Sequence, residues 1–200
     1  MTLRLYDTRS RVKRKLETLV DGEVGIYVCG ITPYSPSHIG HARQAIAFDI
    51  IVRWLRNIGY KVNHITNFTD IDDKIIAIAN DEKVHFLEVA NRNIEDYFEV
   101  MNLLNVLPAD AYPRVTETIP EIISMISRLI SSGNAYESLD GVYFEINSAP
   151  EKYGQLTGQT LEMVQEGAGG RVNTTGSGKK NHRDFALWKF AKENEPYWDS

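Results

Sequence analysis

Hydrophobic and polar positions in the first third of the chain change their period twice, which predicts a strand, a helix and a second strand. Residues 23–29 (EVGIYVC) are apolar and rich in strand-forming residues, and Gly30 follows them as at the start of a loop. From Ala42 the apolar residues recur with helical spacing until Gly59, which is a typical helix end. Residues 61–66 (KVNHIT) are predicted to form the second strand. Such a unit predicts a parallel sheet with a right-handed crossover. The apolar positions that predict the helix are Ala47, Ile50, Ile51, Trp54, Leu55 and Ile58.

The rest of the chain predicts more helices, a further strand and one long polar loop. Residues 72–107 contain no proline and no glycine, which favours a helix, and Thr118 with Glu121 forms a capping-box pattern at the start of another helix. The predicted segments are helix over 72–107, a proline-containing break over 107–114, helix from about 118 to 130, strand over 141–146, a mobile loop over 166–180 and renewed order over 184–191.

The predicted architecture is an α/β fold with a Rossmann-like parallel sheet. A single strand–helix–strand unit leaves two unpaired sheet edges and half a core. We therefore expect the sheet to be incomplete in this chain and further strands to follow its last residue.

Composition and charge narrow the function classes. The chain has 200 residues, 42% hydrophobic and 24% charged, as in an ordinary globular protein. We expect no membrane span and no signal peptide, and the single cysteine suits the cytoplasm. A net charge of −5 argues against a protein whose main function is to bind RNA or DNA. It is compatible with an enzyme that contacts RNA through a small part of its surface. Basic clusters at 9–15 and 179–183 are most simply solvated faces.

Residues 29–44 (CGITPYSPSHIGHARQ) carry the pattern of a nucleotide site. Cys29 closes the first predicted strand, and His38 to His41 open the helix, so both lie at the carboxyl edge of the sheet where ligands bind. The amino end of a helix offers free N–H groups and a positive dipole, which favour phosphate. Gly40 lets a planar group approach the backbone, and the two histidines can donate to phosphate oxygens.

The second predicted strand ends in NFTDIDDKI at the same edge of the sheet. Asn67 and Thr69 are short polar groups that can fix a small ligand. Asp70, Asp72 and Asp73 either bind Mg²⁺ or cap the helix that starts near Asp72.

Two of these motifs together resemble a known family. YVCGITPYSPSHIGHAR (27–43) and TNFTDIDDKI (66–75) resemble the amino-terminal catalytic half of the cysteinyl-tRNA synthetases, which are class I aminoacyl-tRNA synthetases. Further stretches are similar to that family in the same order: RVTETIPEIISMISRLISSGNAYES (114–138), DGVYFEI (140–146), YGQLTG (153–158) and DFALWK (184–189).

The resemblance implies a reaction and assigns roles to residues. It implies that L-cysteine is activated by ATP with Mg²⁺, and that the cysteinyl group passes from the adenylate to tRNA(Cys). It implies catalytic roles for His38 and His41, and a Zn²⁺ ligand at Cys29 that selects cysteine over serine. Cysteine-binding residues are then Cys29, Asn67 and Thr69. Contacts to ATP or the adenylate are Gly30, Ile31, Thr32, His38, Ile39, Gly40, His41 and Gln44.

The resemblance also implies a domain plan. Residues 1–108 would form the first half of the Rossmann domain, 109–181 a connective insertion, and 182–200 the return toward the catalytic domain. The family's other zinc ligands, its KMSKS loop and its anticodon-binding domain would lie downstream. We therefore expect these 200 residues alone to be inactive in aminoacylation. Partners would be tRNA(Cys), L-cysteine and ATP, without membrane or DNA.

Two alternatives share these motifs. The cysteine ligase of the mycothiol pathway has the same catalytic domain and transfers cysteine to a glucosaminyl-inositol, and CGITPY suits it. A non-catalytic synthetase-like paralogue would keep the fold alone, although it would not need Cys29, His38, His41 and Thr69.

Overall fold

A computed structural model describes residues 3–158 and 178–200. The chain divides into two compact units, one formed by Glu17–Ile119 and the other by Met1–Leu16 with Pro120–Ser200. The predicted mobile loop over 166–180 lies outside the described residues, apart from 178–180. In chain order the elements are β1 (Arg4–Asp7), β2 (Val12–Lys15), β3 (Glu23–Ile31), α1 (Ile39–Asn57), β4 (Lys61–Phe68), α2 (Asp73–Glu82), α3 (Phe86–Leu103), α4 (Ile119–Ser131), β5 (Ala135–Ser138), β6 (Gly141–Phe144) and β7 (Phe185–Lys189).

The predicted strand–helix–strand unit and its parallel sheet are confirmed. β3 pairs with β4 in parallel, with Val24 opposite Val62 and Val28 opposite Thr66. The proline-containing break also joins the sheet, because Phe68 N–H donates to the carbonyl of Pro113 at 3.0 Å and Phe68 forms a parallel bridge with Arg114. β4 therefore lies between β3 and an extended segment.

The apolar stripe that predicts α1 is not its buried face. Ile50 and Trp54 are 61% and 46% exposed. The buried positions of α1 are Ala42, Asp49, Val52 and Leu55, of which only Leu55 belongs to the predicted stripe. α1 is apolar around much of its circumference, so the pattern identifies a helix without identifying the side that packs on the sheet.

The predicted helical stretch over 72–107 is two helices, and its last four residues are not helical. α2 ends at Lys83, which has a left-handed φ of 58°, and α3 begins after His85. The His85 side chain accepts the N–H of Leu87, and the Glu88 side chain accepts the N–H of His85. A histidine cap in place of Ser, Thr, Asp or Asn explains why the sequence pattern runs through this boundary.

The unit that contains the carboxyl end is a helix on an antiparallel sheet. Its three strands run in the order β5-β6-β7. Ile126 of α4 packs on Ala135 and Val142. Asp184 is 2% exposed and accepts the hydroxyl of Tyr136 at 2.7 Å, so its carboxylate is satisfied within the core. The strand predicted at 141–146 is present as β6 but ends at Phe144, and the order predicted at 184–191 is present as β7.

The helix predicted from about 118 to 130 is present as α4, with Gly133 in a left-handed conformation beyond its end. The Thr118 hydroxyl donates backward to the carbonyls of Arg114 and Val115, at 3.2 Å each, and so closes the preceding short turn. None of the helices in residues 3–158 and 178–200 combines the length and apolar composition needed to cross a membrane.

Candidate nucleotide and amino-acid site

The carboxyl ends of β3 and β4 bring four of the predicted site residues together. The N–H of Gly30 donates to Oδ1 of Asn67 at 2.9 Å. The N–H of Thr69 donates to the carbonyl of Ile31 at 3.0 Å, and the Asn67 side-chain amide donates to the Thr69 hydroxyl at 3.4 Å. Parallel strands place their carboxyl ends at one edge, and these bonds tie the two ends into one surface.

Gly30 has a steric reason to be glycine. A Cβ at this position would lie 1.6 Å from the carbonyl oxygen of Asn67 and 3.2 Å from the Thr66 hydroxyl. The register of β3 against β4 shifts between Val28 and Ile31, and Gly30 lies within this irregularity. The close approach is needed for the hydrogen bond that orients Asn67.

His38 and His41 form a reciprocal cap at the start of α1. Nδ1 of His38 accepts the N–H of Gly40 at 3.0 Å, and Nδ1 of His41 accepts the N–H of His38 at 3.4 Å. The two rings stack with centroids 3.8 Å apart. Since each Nδ1 is an acceptor, each neutral ring carries its proton on Nε2, which can donate to an incoming oxygen.

Burial lowers the pKa of His41 below its usual value of 6.5, and the adjacent His38 lowers it further. His41 therefore stays neutral at physiological pH, because burial disfavours its charged form. The pair offers two N–H donors at a helix amino end, where the backbone dipole also favours a phosphate.

α3 holds the loop that leads into α1. The side-chain amide of Asn93 donates to the carbonyl of Pro33 at 3.2 Å, and the Asp96 carboxylate accepts the N–H of Ser37 at 2.7 Å. The Ser37 hydroxyl is buried without a hydrogen-bond partner among the described residues. α3 thus fixes the position of both histidines through the loop before them.

Sequence reasoning missed Asn93 and Asp96. The available signal is that Asn93, 4% exposed, interrupts the buried apolar face of α3 beside Val89 and Ile94. A polar residue on such a face has to find a partner, and the Asn93 amide donates to the Val89 carbonyl one turn earlier and to the Pro33 carbonyl 60 residues earlier in the chain.

Cys29 has an exposed thiol at the end of β3. Its carbonyl accepts the side-chain amide of Gln44 at 2.8 Å. The amide of Gln44, a predicted adenylate contact, is thus already engaged with the backbone of the strand end. The described residues contain no cluster of three or more His, Cys, Asp or Glu side chains that could hold a metal ion.

The aspartates after β4 have structural partners. The Asp72 carboxylate accepts the N–H of Lys74 at 3.0 Å and caps α2, the capping alternative raised by the sequence. Asp70 is fully buried and accepts both the N–H and the hydroxyl of Thr116, at 3.0 and 2.6 Å. Asp70 therefore ties the end of β4 to the turn that follows the extended segment.

A separate cavity of about 210 Å³ lies between the β3–β4 sheet and helices α1 and α3. Gly30, Ile31 and Gln44 of the predicted site reach its wall, whereas His38 and His41 do not line it. Burial raises the pKa of Tyr97 to about 12, so its hydroxyl stays protonated in this cavity. The aromatic residues that line the cavity are Phe48, Tyr97, Phe98 and Tyr112, together with His64.

Curated relatives match the whole chain at high identity. The chain is 50% identical over 200 residues to the cysteine–tRNA ligase of Pyrococcus horikoshii, covering 100% of this chain and 41% of the relative. It is 49% identical over 202 residues to the cysteine–tRNA ligase of Nostoc sp., again covering 100% of this chain and 41% of the relative. The chain therefore spans about two fifths of the length of these relatives.

A solved structure shares the fold. Mycobacterium tuberculosis methionyl-tRNA synthetase, in complex with methionyl-adenylate, has a TM-score of 0.52 and 24% identity, over 62% of this chain and 25% of that chain. The family model for the catalytic domain of class I tRNA synthetases of the C type matches residues 15–200. With that match over nearly its whole length, the chain belongs to the family of class I tRNA synthetase catalytic domains.

Proposed function

We propose that the chain is the amino-terminal part of an enzyme that activates L-cysteine with ATP and transfers the cysteinyl group to tRNA(Cys). The observation that carries the proposal is the meeting of two sequence motifs at one edge of the sheet. The stacked pair His38 and His41 opens α1, while Asn67 and Thr69 lie at the linked ends of β3 and β4. The identity of 50% to cysteine–tRNA ligases supports cysteine as the amino acid.

In the first step, a carboxylate oxygen of cysteine forms a bond to the α-phosphorus of ATP. The bond between the α-phosphorus and the oxygen that bridges it to the β-phosphorus breaks. Pyrophosphate leaves, bound by Mg²⁺. The Nε2–H groups of His38 and His41 donate to phosphate oxygens as negative charge builds in the transition state. Gly40 makes room for the His38 ring, because a Cβ at residue 40 would lie 2.7 Å from Cε1 of His38, and the α1 dipole adds to the attraction for phosphate.

In the second step, a hydroxyl of the terminal tRNA ribose attacks the carbonyl carbon of the adenylate. An ester forms, AMP leaves with the electron pair of the mixed anhydride, and the hydroxyl proton passes to solvent or to the leaving phosphate. We assign the binding of the cysteine during this exchange to Asn67 and Thr69, whose side chains hydrogen-bond each other at 3.4 Å.

Cys29 suits one position of a zinc site, because its thiol is exposed at the strand end beside these residues. Protein zinc sites use three or four N or S ligands, so the remaining ligands would have to come from outside the described residues. When bound, zinc would supply a Lewis acid for the thiolate of the substrate, which a serine hydroxyl does not match. We place the enzyme in the cytoplasm, where tRNA is charged.

The proposed function is tested by identifying the acceptor that receives the cysteinyl group. The complete protein that contains this chain is supplied with labelled cysteine, ATP and Mg²⁺, and with either a tRNA(Cys) transcript or glucosaminyl-inositol. We expect label on the tRNA, and none when AMP replaces ATP. Label on the amino sugar alone would assign the protein to the mycothiol reaction, and label on neither acceptor would refute the proposed function.

A further inference from the structure

The β1–β2 hairpin sorts its charges by face. In an antiparallel pair, residues directly opposite each other share a face. Arg4 lies opposite Lys15 and Tyr6 opposite Lys13, while Leu5 lies opposite Arg14 and Asp7 opposite Val12. One face, called here the basic face, therefore consists of Arg4, Tyr6, Lys13 and Lys15.

The basic face carries three cations and no acid, and all four of its residues are exposed, Tyr6 by 61%. The hairpin's only acid, Asp7, lies on the other face, where it pairs with Arg14 at 3.5 Å. None of the ion pairs formed within residues 3–158 and 178–200 involves Lys13 or Lys15. These two ammonium groups are therefore available to an external anion.

The turn of the hairpin is anchored within its own unit. The Arg11 guanidinium donates to the carbonyl of Thr157 at 3.3 Å, and the Arg9 guanidinium contacts Oε1 of Gln155 at 3.5 Å. The Arg4 guanidinium also donates to the carbonyl of Lys13, which braces the two strands. A braced ribbon holds the backbone beneath its cations in place, so less backbone entropy is lost on binding.

We infer that the basic face binds the phosphate backbone of an RNA, which the proposed function identifies as the tRNA substrate. Residues two apart on a strand are about 7 Å apart and paired strands about 5 Å, so the three cations form a compact patch. The face stands out because the chain as a whole has a net charge of −5. The Tyr6 ring adds a surface on which an unpaired base can stack.

The separation of basic and apolar side chains onto opposite faces of the hairpin argues against a membrane as the binding partner of the basic face. A bilayer-binding ribbon needs apolar side chains beside its cations. Here Leu5 and Val12 lie on the opposite face from Lys13 and Lys15. Charge complementarity without an apolar anchor is the character of a phosphate-backbone contact.

The test measures the affinity of the complete protein for a fluorescent tRNA(Cys) transcript as a function of KCl concentration. We expect Lys13→Gln with Lys15→Gln to weaken binding roughly tenfold at low salt, and to reduce the slope of log affinity against log salt by roughly 1.5. The matched control is Lys152→Gln with Lys192→Gln, two exposed lysines of the same unit with the same change in charge. The control is expected to keep the wild-type slope.

The inference is overturned if the slope is unchanged in the Lys13 and Lys15 variant, or if both double variants lower it equally. It is also overturned if phosphatidylserine vesicles, and not the tRNA, lose binding in that variant. Cysteine-dependent exchange of pyrophosphate into ATP, which needs no tRNA, is measured in parallel. Normal exchange with an unchanged slope refutes the basic face alone, whereas absent exchange refutes the proposed function even where the slope falls.

Discussion

Backbone proximity at the end of β3 sets which side chain is possible at residue 30. We predict that Gly30→Ala destabilises the protein by about 3 kcal/mol or more and abolishes cysteine activation, because the Cβ would collide with the carbonyl of Asn67. Gly25→Ala is the matched control on the same strand, where a Cβ meets nothing within 4 Å. Urea unfolding and pyrophosphate exchange measure the two effects. Equal stability of the two variants would contradict the account of Gly30.

A half-buried histidine in the cavity wall predicts a pH dependence of stability. Burial, the largest effect, lowers the pKa of His64 below its usual 6.5; Asp110 and Asp49 act in the opposite direction, and Arg56 lowers it further. Nε2 of His64 is buried without a partner among the described residues. The folded protein therefore disfavours the proton that the unfolded chain accepts. Stability should be unaffected above pH 6.5 and should fall as the pH drops below that value, until the folded pKa is passed.

We expect His64→Leu to reduce this loss of stability, measured by urea unfolding at pH 7.5 and at acidic pH. The loss should not vanish in the variant, because the pKa of His41 is also lowered by burial. A variant with the same acid sensitivity as the wild type would show that His64 is not the source.

At the scale of the elements, α1 and α3 both begin with a histidine cap, and only the cap of α1 belongs to the candidate site. His38 caps α1 and His85 caps α3, each with a capping box. We predict that His38→Ala and His85→Ala each cost about 1 kcal/mol of stability. Only His38→Ala should slow adenylate formation, by roughly a hundredfold or more, because we propose that its Nε2–H donates to phosphate.

Thermal unfolding and pyrophosphate exchange, measured on both variants, separate the capping effect from the chemical effect. Comparable losses of exchange in the two variants would mean that His38 acts through helix stability alone.

The elements show where sequence patterns suffice. The unit formed by β3, α1 and β4 could be predicted because the hydrophobic period changes at its boundaries and Gly59 ends the helix. The boundary between α2 and α3 could not, because residue 83 is a lysine in a left-handed conformation, which carries no glycine signal. The buried face of α1 could not be predicted either, since apolar residues such as Trp54 lie on its exposed side.

At the scale of the whole molecule, the candidate site depends on contacts that no local pattern contains. Asn93 reaches Pro33 over 60 residues, and Asp70 reaches Thr116 over 46. The motif residues themselves could be named from the sequence, because parallel topology sends the ends of β3 and β4 to one edge. The residues that fix the motif in place become evident only when the fold is known.

The arrangement of the basic side chains in residues 9–15 also becomes evident only from the structure. The sequence shows a basic run at residues 9–15, for which a solvated face is the simplest interpretation. The strand register separates Lys13 and Lys15 from Arg14, which pairs with Asp7 on the opposite face. A surface suited to RNA thus depends on a period of two that a count of charges does not reveal.

The most direct test of the account is the amino-acid dependence of pyrophosphate exchange into ATP by the complete protein. We predict that exchange with cysteine is faster than exchange with serine by roughly a hundredfold or more. We also predict that Cys29→Ser loses most of the cysteine-dependent exchange. Exchange that is equal for the two amino acids, or that is unaffected by Cys29→Ser, would contradict the assignment of this strand end as a cysteine-activating site.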